Sequence, residues 1–340
     1  IMVVGETSRA LNWSLYDYDR DTNPELSKIE GVTSFCHVLT ESNTTHKSVP
    51  MLLSPVSAQN FDSIYYRKSI ITAFKEAGFQ TAFFSNQRYN HSFIDFFGME
   101  ADTYDFIKED SQDSQYNPSD DELLMLVEKE LEKGNRKQFI VLHTYGYHFN
   151  YRERYPETAA FFLPDFPVDA EVKYKDNLMN AYDNSIRYTD NFLARIIHLL
   201  KQQQVDASML YTSDHGEDIF DDGRHLFLHA SPVPSYYQLH VPLLLWTSDS
   251  YREEYPGIEK AASMNRQKNI SSSISFFQTM MELAGIETPY RNDSLSVTSP
   301  LYTEKSRVYL NDHNEPHSLD DIGMRKEDFE MLKKRGIDAQ

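Results

Sequence analysis

Short β-type runs alternate with helical stretches along the whole chain, and few architectures accept that order of elements. Apolar runs and helical periodicity locate the elements in the sequence. The predicted strands are 1–4, 81–84, 138–143, 208–212 and 240–246, and the predicted helices are 69–77, 120–133, 178–204 and 271–284. Strands that alternate with helices form parallel βαβ units whose sheet is covered on both faces. We therefore predict a three-layer α/β fold, with a mostly parallel central sheet and helices on both faces.

The length and charge of the chain limit what it can be. With 340 residues, 40% of them hydrophobic, it is long enough for one large folded domain. We expect a single domain over 1–340, with a core at about 1–310, a peripheral tail at 311–340 and a surface loop at 110–121. The net charge of −19 argues against nucleic-acid binding, and the single cysteine, Cys36, cannot form an internal disulfide.

The start of the chain predicts that a preceding segment is missing. Residues 1–4 already have the composition of a buried strand, and a native protein rarely begins inside its core sheet. No apolar run approaches the roughly 18 residues of a membrane helix. We expect this sequence to be a fragment whose N-terminal part was removed.

Polar side chains follow several of the predicted strands. Glu6 follows the first, Asn86 the second, His143 and His148 the third, and Asp214 with His215 the fourth. Functional groups of such sheets gather at the carboxyl ends of the strands. Residues more than 200 positions apart are therefore expected at one rim.

The segment 213–217, Ser-Asp-His-Gly-Glu, is the strongest local signal of a metal site. A carboxylate and an imidazole side by side both suit Zn²⁺. The alternative is a turn in which Asp214 caps the next helix. Glu6 adds a second carboxylate, although it can equally be a solvated turn residue.

Hydroxyl groups are concentrated at 42–48, before a helix predicted from Met51 onwards. A hydroxyl at a helix N-terminus is usually a cap. It also lies where backbone N–H groups and the helix dipole favour a phosphate or an alkoxide.

Histidines form a further group of candidates. His143 and His148 are five positions apart, and His225 and His229 are four apart in a predicted loop. Several histidines at one rim favour a metal or phosphate site over separate structural roles. The acids nearby in sequence are expected to be solvated, or else to attract an ammonium group: Glu217, Asp218, Asp221 and Asp222.

In these motifs, taken in order, the chain resembles the phosphoethanolamine transferases, a family that includes enzymes modifying lipid A and conferring polymyxin resistance. The resemblance covers roughly 1–290. It is carried by the segments 3–10, 18–24, 45–50, 180–184, 189–190, 213–217, 228–229, 241–242 and 246–247.

The resemblance implies an alkaline-phosphatase/sulfatase-like fold and one catalytic zinc ion, with a second zinc ion as an option. Thr45 matches the nucleophile. The implied zinc ligands are Glu6, Thr45, Asp214 and His215, with His148 and His229 as catalytic groups. The candidates for a second metal or for substrate phosphate are His148, His229, His225, Asn86, His143 and Glu217.

The resemblance also implies a reaction. Zinc ligation would activate the Thr45 hydroxyl to attack phosphatidylethanolamine. Diacylglycerol would leave, and the phosphoethanolamine on Thr45 would pass to lipid A, lipopolysaccharide or another envelope glycan. Family members carry N-terminal membrane helices, which implies a Gram-negative inner-membrane protein whose catalytic domain faces the periplasm.

The chain departs from the family pattern at three points. The segment between Glu217 and His229 is slightly longer than in the family, so His225 competes with His229 for the same role. The usual Cys-Gly near the nucleophile is replaced by Glu41, Ser42 and Asn43, and the family's disulfides are absent. A lysine of the phosphate pocket has no clear match, with His91 or Arg88 as substitutes.

Three alternatives remain open at this point. One is a phosphoglycerol transferase with the same threonine chemistry. Another is a sulfatase or phosphatase of the same superfamily, although the segment 48–52 lacks the arginine of a sulfatase motif. The third is a binding domain without turnover.

Overall fold

The computed structural model describes residues 1–109, 117–134 and 137–340. Residues 110–116 of the predicted surface loop therefore lie outside the described residues. The strands are β1 (Met2–Gly5), β2 (Val32–Phe35), β3 (His37–Leu39), β4 (Gln80–Ser85), β5 (Thr103–Phe106), β6 (Gln138–His143), β7 (Ser208–Ser213), β8 (Asp218–Ile219), β9 (Phe227–Leu228), β10 (Leu243–Thr247), β11 (Asn269–Ser271), β12 (Tyr309–Leu310) and β13 (Pro316–His317).

Ten α-helices occur among the described residues. They are α1 (Thr45–Leu52), α2 (Ile70–Glu76), α3 (Phe93–Gly98), α4 (Asp121–Glu132), α5 (Lys175–Gln203), α6 (Tyr236–Leu239), α7 (Asp249–Glu254), α8 (Pro256–Asn265), α9 (Ser272–Leu283) and α10 (Lys326–Lys334). None of these described helices is both long and apolar enough to cross a bilayer.

The central sheet has seven strands in the order β2-β10-β7-β1-β6-β4-β5. β1 pairs in parallel with both β6 and β7, and β4 pairs in parallel with both β5 and β6. β10 is antiparallel to both of its neighbours, β7 and β2. The prediction of a mostly parallel sheet is confirmed, with β10 as the exception.

Helices cover both faces of this sheet. Along β1, Met2 and Val4 belong to one hydrophobic cluster and Val3 to another, as the alternation of side chains along a strand requires. Helices α1, α2, α3 and α9 pack in the first cluster, and α4 and α5 pack in the second. The three-layer arrangement follows.

The prediction of a helix from Met51 onwards was wrong, because α1 already begins at Thr45. Thr44 is extended and caps the helix through its carbonyl, which accepts from the backbone N–H of Lys47 and of Ser48. Pro50 lies inside the helix rather than before it. This shift places Thr45 at the first position of the helix.

The segment after Asn311 packs against the rest of the domain. Leu319, Met324, Leu332 and Ile337 are buried in a third hydrophobic cluster, which also contains Tyr236 and Tyr309. Arg224 bonds Asp328 at 2.7 Å, which ties α10 to the loop after β8.

Candidate metal centre

Three elements bring Glu6, Thr45, Asp214 and His215 together. Parallel pairing of β1 with β7 puts Gly5 opposite Ser213, so the residues that follow the two strands are neighbours. The backbone N–H of Asp214 donates to the Gly5 carbonyl at 3.0 Å. The first turn of α1 places Thr45 next to Glu6 and His215.

The side-chain atoms of these residues converge on one point. Thr45 Oγ1 lies 3.2 Å from each carboxylate oxygen of Glu6 and 3.2 Å from His215 Nε2. His215 Nε2 lies 3.5 Å from Glu6 Oε1 and 3.3 Å from Asp214 Oδ2. All four residues predicted as metal ligands therefore meet.

These separations fit the edges of a zinc tetrahedron. With metal–ligand bonds of about 2.0–2.1 Å, two ligand atoms of a tetrahedral site lie about 3.3–3.4 Å apart. The four residues supply oxygen and nitrogen donors at 3.2–3.5 Å from one another for the pairs given above. The donor set and its spacing fit zinc.

The protonation of the group also favours a bound cation. His215 Nδ1 lies 2.9 Å from the Gly216 carbonyl and donates to it, so Nε2 presents a lone pair to the centre. Burial lowers the pKa of His215 to about 3. The single hydroxyl proton of Thr45 cannot satisfy Glu6 and His215 Nε2 together.

The two carboxylates of the centre are held by neighbours and remain costly to charge. Asp214 Oδ1 accepts from the backbone N–H of Thr7 at 3.0 Å and of His215 at 2.7 Å. Asp214 Oδ2 is buried and makes no hydrogen bond within the ranges that the structure describes. Burial raises the pKa of Asp214 to about 6, and burial followed by the Asp214 charge raises the pKa of Glu6. A bound cation would offset both costs.

A second group of side chains adjoins the first. The rings of His215 and His229 are 4.2 Å apart, and ligand atoms of Glu6, His215 and His229 all lie within 4.8 Å of one another. His229 Nδ1 lies 3.3 Å from Glu217 Oε2. Glu217 Oε1 is buried without a hydrogen bond to any described residue. His229 is therefore placed to contact a metal or a phosphate.

His148 is carried to this group by a loop that folds over Glu6. The backbone N–H of Tyr147 donates to the Glu6 carbonyl at 3.1 Å. Gly146 has a φ of +51°, and a Cβ there would lie 2.7 Å from the Glu6 carbonyl oxygen, so the close approach needs glycine. The rings of His148 and His229 are 6.2 Å apart.

Four of the predicted site residues lie elsewhere. His143 is buried at the end of β6 with Nδ1 3.3 Å from Ser85 Oγ. Asn86 donates to the Pro118 carbonyl and to Asp120, so it braces the loop rather than facing the centre. His225 is exposed, and so is His91, whose ring contacts Tyr89.

The expectation that Glu217, Asp218, Asp221 and Asp222 are solvated was wrong. Glu217 and Asp218 are buried, and Asp218 accepts from Ser235 and Gln238. The other two are paired with arginines at short distance: Arg9–Asp221 at 2.7 Å and Arg224–Asp222 at 2.6 Å. These ion pairs explain why the acids stay close to the domain.

The sequence did not identify three residues that surround the centre. Gln87 Nε2 donates to Glu6 Oε2 at 3.1 Å and to the Thr144 carbonyl at 3.1 Å. Thr7 Oγ1 donates to Glu6 Oε1 at 2.7 Å. Lys108 Nζ lies 2.8 Å from the centroid of the Tyr145 ring, which in turn stacks on His148. None of the three belongs to a metal-binding residue pattern, so only their contacts reveal them.

Comparison with known proteins gives the centre a family context. A model of the Sulfatase family matches residues 1–286. Phosphoethanolamine transferase EptA of Salmonella typhimurium is 30% identical over 318 residues, covering 88% of this chain and 55% of that protein. Phosphoethanolamine transferase EptC of Escherichia coli K12 is 25% identical over 331 residues, covering 94% and 56%. The chain spans about half the length of the curated relatives it matches.

Solved structures show the same fold. The C-terminal periplasmic domain of EptC from Escherichia coli, in complex with Zn, has a TM-score of 0.84 at 24% identity and covers 95% of this chain and 92% of its own. The corresponding domain from Campylobacter jejuni has a TM-score of 0.77 at 26% identity, with coverages of 89% and 94%. The integral membrane lipooligosaccharide phosphoethanolamine transferase A of Neisseria meningitidis has a TM-score of 0.77 at 25% identity, with coverages of 87% and 56%. The predicted alkaline-phosphatase/sulfatase-like fold is confirmed.

Proposed function

This chain belongs to the sulfatase family, and from that membership, its phosphoethanolamine transferase relatives and the geometry of its centre we propose a function. It is the catalytic domain of a zinc-dependent enzyme that transfers phosphoethanolamine from phosphatidylethanolamine through Thr45. The observation that carries the proposal is the position of Thr45 Oγ1, 3.2 Å from both Glu6 and His215 Nε2. In this position a metal held by Glu6 and His215 would also contact the Thr45 hydroxyl and activate it as a nucleophile.

The residues that would hold zinc are Glu6, Thr45, Asp214 and His215. Zinc, when bound, lowers the pKa of an oxygen ligand and offsets negative charge on a reacting phosphate. Thr45 also lies at the N-terminus of α1, where the backbone N–H groups favour negative charge on its oxygen. Thr45 is thereby prepared to act as nucleophile.

The transfer takes two steps. Thr45 Oγ1 loses its proton and bonds to phosphorus while the bond from phosphorus to the diacylglycerol oxygen breaks, and that oxygen takes up a proton. An acceptor hydroxyl or phosphate then attacks the phosphorus and gives up the proton that it carries. The bond from phosphorus to Thr45 Oγ1 breaks, and that oxygen regains a proton. His229 and His148 would donate the proton or hold the phosphate oxygens, since the His229 ring lies beside His215 and the His148 ring beside His229.

Glu217 orients His229 in this scheme. His229 Nδ1 lies 3.3 Å from Glu217 Oε2, so Nε2 is the ring nitrogen left for the substrate. The acceptor-rich group of Glu6, His215, His229 and Glu217 is also the place where we propose a second zinc ion, if one binds. His225 is exposed and has no part in the proposal.

The partners and location follow from the relatives. Two relatives are periplasmic domains by name, and another is an integral membrane protein. We place this domain at the periplasmic face of a Gram-negative inner membrane, where the rest of the protein would anchor it. The acceptor would be lipid A, lipopolysaccharide or another envelope glycan.

The hydroxyl of Ser48 gives a reason to prefer threonine chemistry over a sulfatase mechanism. A sulfatase reading would make Ser48 the modified nucleophile, but Ser48 Oγ is buried and donates to the Asp214 carbonyl at 2.7 Å. The Ser48 hydroxyl therefore stabilises the backbone of the segment 213–217, which carries Asp214 and His215. Thr45 is the hydroxyl that faces the metal ligands.

Trapping the covalent intermediate tests the function. The zinc-loaded chain is incubated with phosphatidylethanolamine or phosphatidylglycerol in detergent, and intact-mass spectrometry follows the protein. We expect one phosphoethanolamine group on Thr45 from the first lipid only, none on Thr45→Ala, and restored labelling on Thr45→Ser.

Two results would overturn the assignment. Labelling from phosphatidylglycerol alone would make the chain a phosphoglycerol transferase. Labelling that persists in Thr45→Ala at the wild-type level would remove Thr45 from the mechanism.

A further inference from the structure

A cavity distinct from the metal centre lies behind α1. Its volume is about 390 Å³, and residues of the segment 54–60, of α9 and of the segment 305–308 line it. None of the zinc ligands proposed above is among the lining residues. The size falls in the ~300–1,000 Å³ range of small-molecule sites.

Glu41 gives this cavity a chemical preference. Its side chain is 2% exposed and lines the cavity, and its Oε2 makes no hydrogen bond to any residue in the described ranges. Burial raises the pKa of Glu41 to about 7. The Ser273 side chain and the backbone of Ala58 are close enough to favour the charged form of this carboxyl group. Its Oε2, which accepts from no described residue, is the oxygen that a donor in the cavity would reach.

The nearby cation, Arg307, directs its hydrogen bonds to groups other than Glu41. Arg307 is close enough for its charge to act on Glu41, yet its guanidinium donates to the carbonyls of Ile270 and His37 and to Asn269. Lys305 lines the cavity from its exposed rim, where solvent screens its charge. The inner end of the cavity therefore remains acidic.

The walls are suited to an apolar body. Val56, Ile274, Phe277, Leu295 and Val308 line the cavity together with the polar groups of Gln278 and Ser57. An apolar ligand portion would be removed from water against these side chains. A charge-assisted bond to Glu41 would fix its polar end.

We propose that this cavity binds a small molecule in which a primary ammonium group, directed to Glu41, is attached to an apolar body. The site is independent of the proposed transferase chemistry, since it shares none of the ligands of the metal centre. Glu41 lies four positions before Thr45 in sequence, and Thr45 is not among the residues that line the cavity.

Benzylamine and benzyl alcohol are a matched pair of probes for the proposal. Titration calorimetry of the zinc-loaded chain at pH 8 should show saturable binding of benzylamine, and at least tenfold weaker binding of benzyl alcohol. In crystals soaked with benzylamine, density should appear beside Glu41 with the nitrogen in hydrogen-bond range of Oε2.

Two variants separate the charge from the cavity. Glu41→Gln keeps the shape and should weaken benzylamine binding at least tenfold while leaving benzyl alcohol binding unchanged. Ser306→Trp introduces bulk at the exposed rim and should weaken the binding of both probes. If Glu41→Gln does not fold, this variant tests whether the probes bind in the cavity. Equal affinity for the two probes, undiminished binding to both variants, or ligand density only at the metal centre would overturn the proposal.

Discussion

At Thr45 a single hydroxyl proton faces more acceptors than it can satisfy. Both oxygens of Glu6 and the lone pair of His215 Nε2 are 3.2 Å away. A cation among these acceptors would satisfy them together, which is why we propose zinc there. The residues around these four side chains act by orienting the groups that would bind zinc.

Gln87 is the clearest of these orienting residues. Gln87→Leu removes the donor to Glu6 Oε2, so the carboxylate is free to rotate away from the metal. We expect zinc affinity to fall about 10- to 100-fold. Competition with a chelator measures the affinity, and His91→Ala in the same loop is the control, because the His91 side chain is exposed. Equal zinc affinity in Gln87→Leu and wild type would contradict the role.

Lys108 lies beside the proposed phosphate site, and burial lowers its pKa to about 7, so a phosphate bound there would favour its charged form. Its ammonium lies over Tyr145, and Tyr145 stacks on His148. In Lys108→Met we expect kcat/KM for transfer to fall about tenfold, the size of one lost charge-assisted contact, with zinc content unchanged. The exposed Lys129→Met on α4 is the control. A parallel loss of zinc would show that Lys108 only supports the fold.

At the scale of elements, the start of α1 is held by side-chain hydrogen bonds. Asn43 donates to the Ser231 carbonyl at 2.9 Å and to Gln238 at 2.6 Å, and it accepts from the Tyr309 hydroxyl at 2.7 Å. Thr40 and Ser48 both donate to the Asp214 carbonyl at 2.7 Å. The start of α1 is thus tied to the metal turn and to the C-terminal segment.

Asn43→Ala tests that anchoring. Two buried partners, Gln238 and Tyr309, and the half-buried Ser231 would each lose a hydrogen bond, so we expect the free energy of unfolding to fall by about 3 kcal/mol. Urea denaturation measures it. Gln202→Ala, on the exposed surface of α5, should change it by less than about 0.5 kcal/mol. A loss in Asn43→Ala as small as in the control would show that other contacts anchor the helix.

At the scale of the whole molecule, the layers follow from the sequence while several functional contacts do not. β6 was predicted to the residue, and β4, β7 and α5 to within a few residues, because each is an uninterrupted apolar run or a long amphipathic helix. The convergence of Glu6, Asp214 and His215 was also predicted, since strand ends share one rim, whereas the place of Thr45 beside them was predicted from the family resemblance.

The remaining features depend on tertiary contacts. The antiparallel direction of β10 is set by its pairing with β2 and β7, and a local apolar run carries no such information. The selection of His229 over His225 depends on the backbone path between them, in which His225 turns outward at a φ of +52°. Gln87 and Lys108 are polar residues in loops, with no spacing that marks them.

The domain should also lose stability in acid through its buried neutral histidines. His240 is fully buried between the Tyr236 hydroxyl and the Cys36 carbonyl, and burial lowers its pKa to about 3. The unfolded chain binds a proton there below about pH 6.5 and the folded chain does not, so stability falls as the pH drops through that value.

His240→Gln isolates this contribution. The variant should be less stable than wild type at pH 8, because the ring no longer packs between its two partners. On going to pH 5 the difference in unfolding free energy should shrink by about 2 kcal/mol, since only wild type pays to keep His240 neutral. Denaturant midpoints at the two pH values measure it. A difference that stays constant with pH would contradict the assignment.

The central claim is that one metal ion contacts the nucleophile. Anomalous diffraction at the zinc edge, on crystals of this chain grown with zinc, tests it directly. We predict a peak about 2.0–2.2 Å from Thr45 Oγ1 and at similar distances from Glu6, Asp214 and His215. A peak that leaves Thr45 Oγ1 outside the coordination shell, or no peak between these four side chains, would contradict the account.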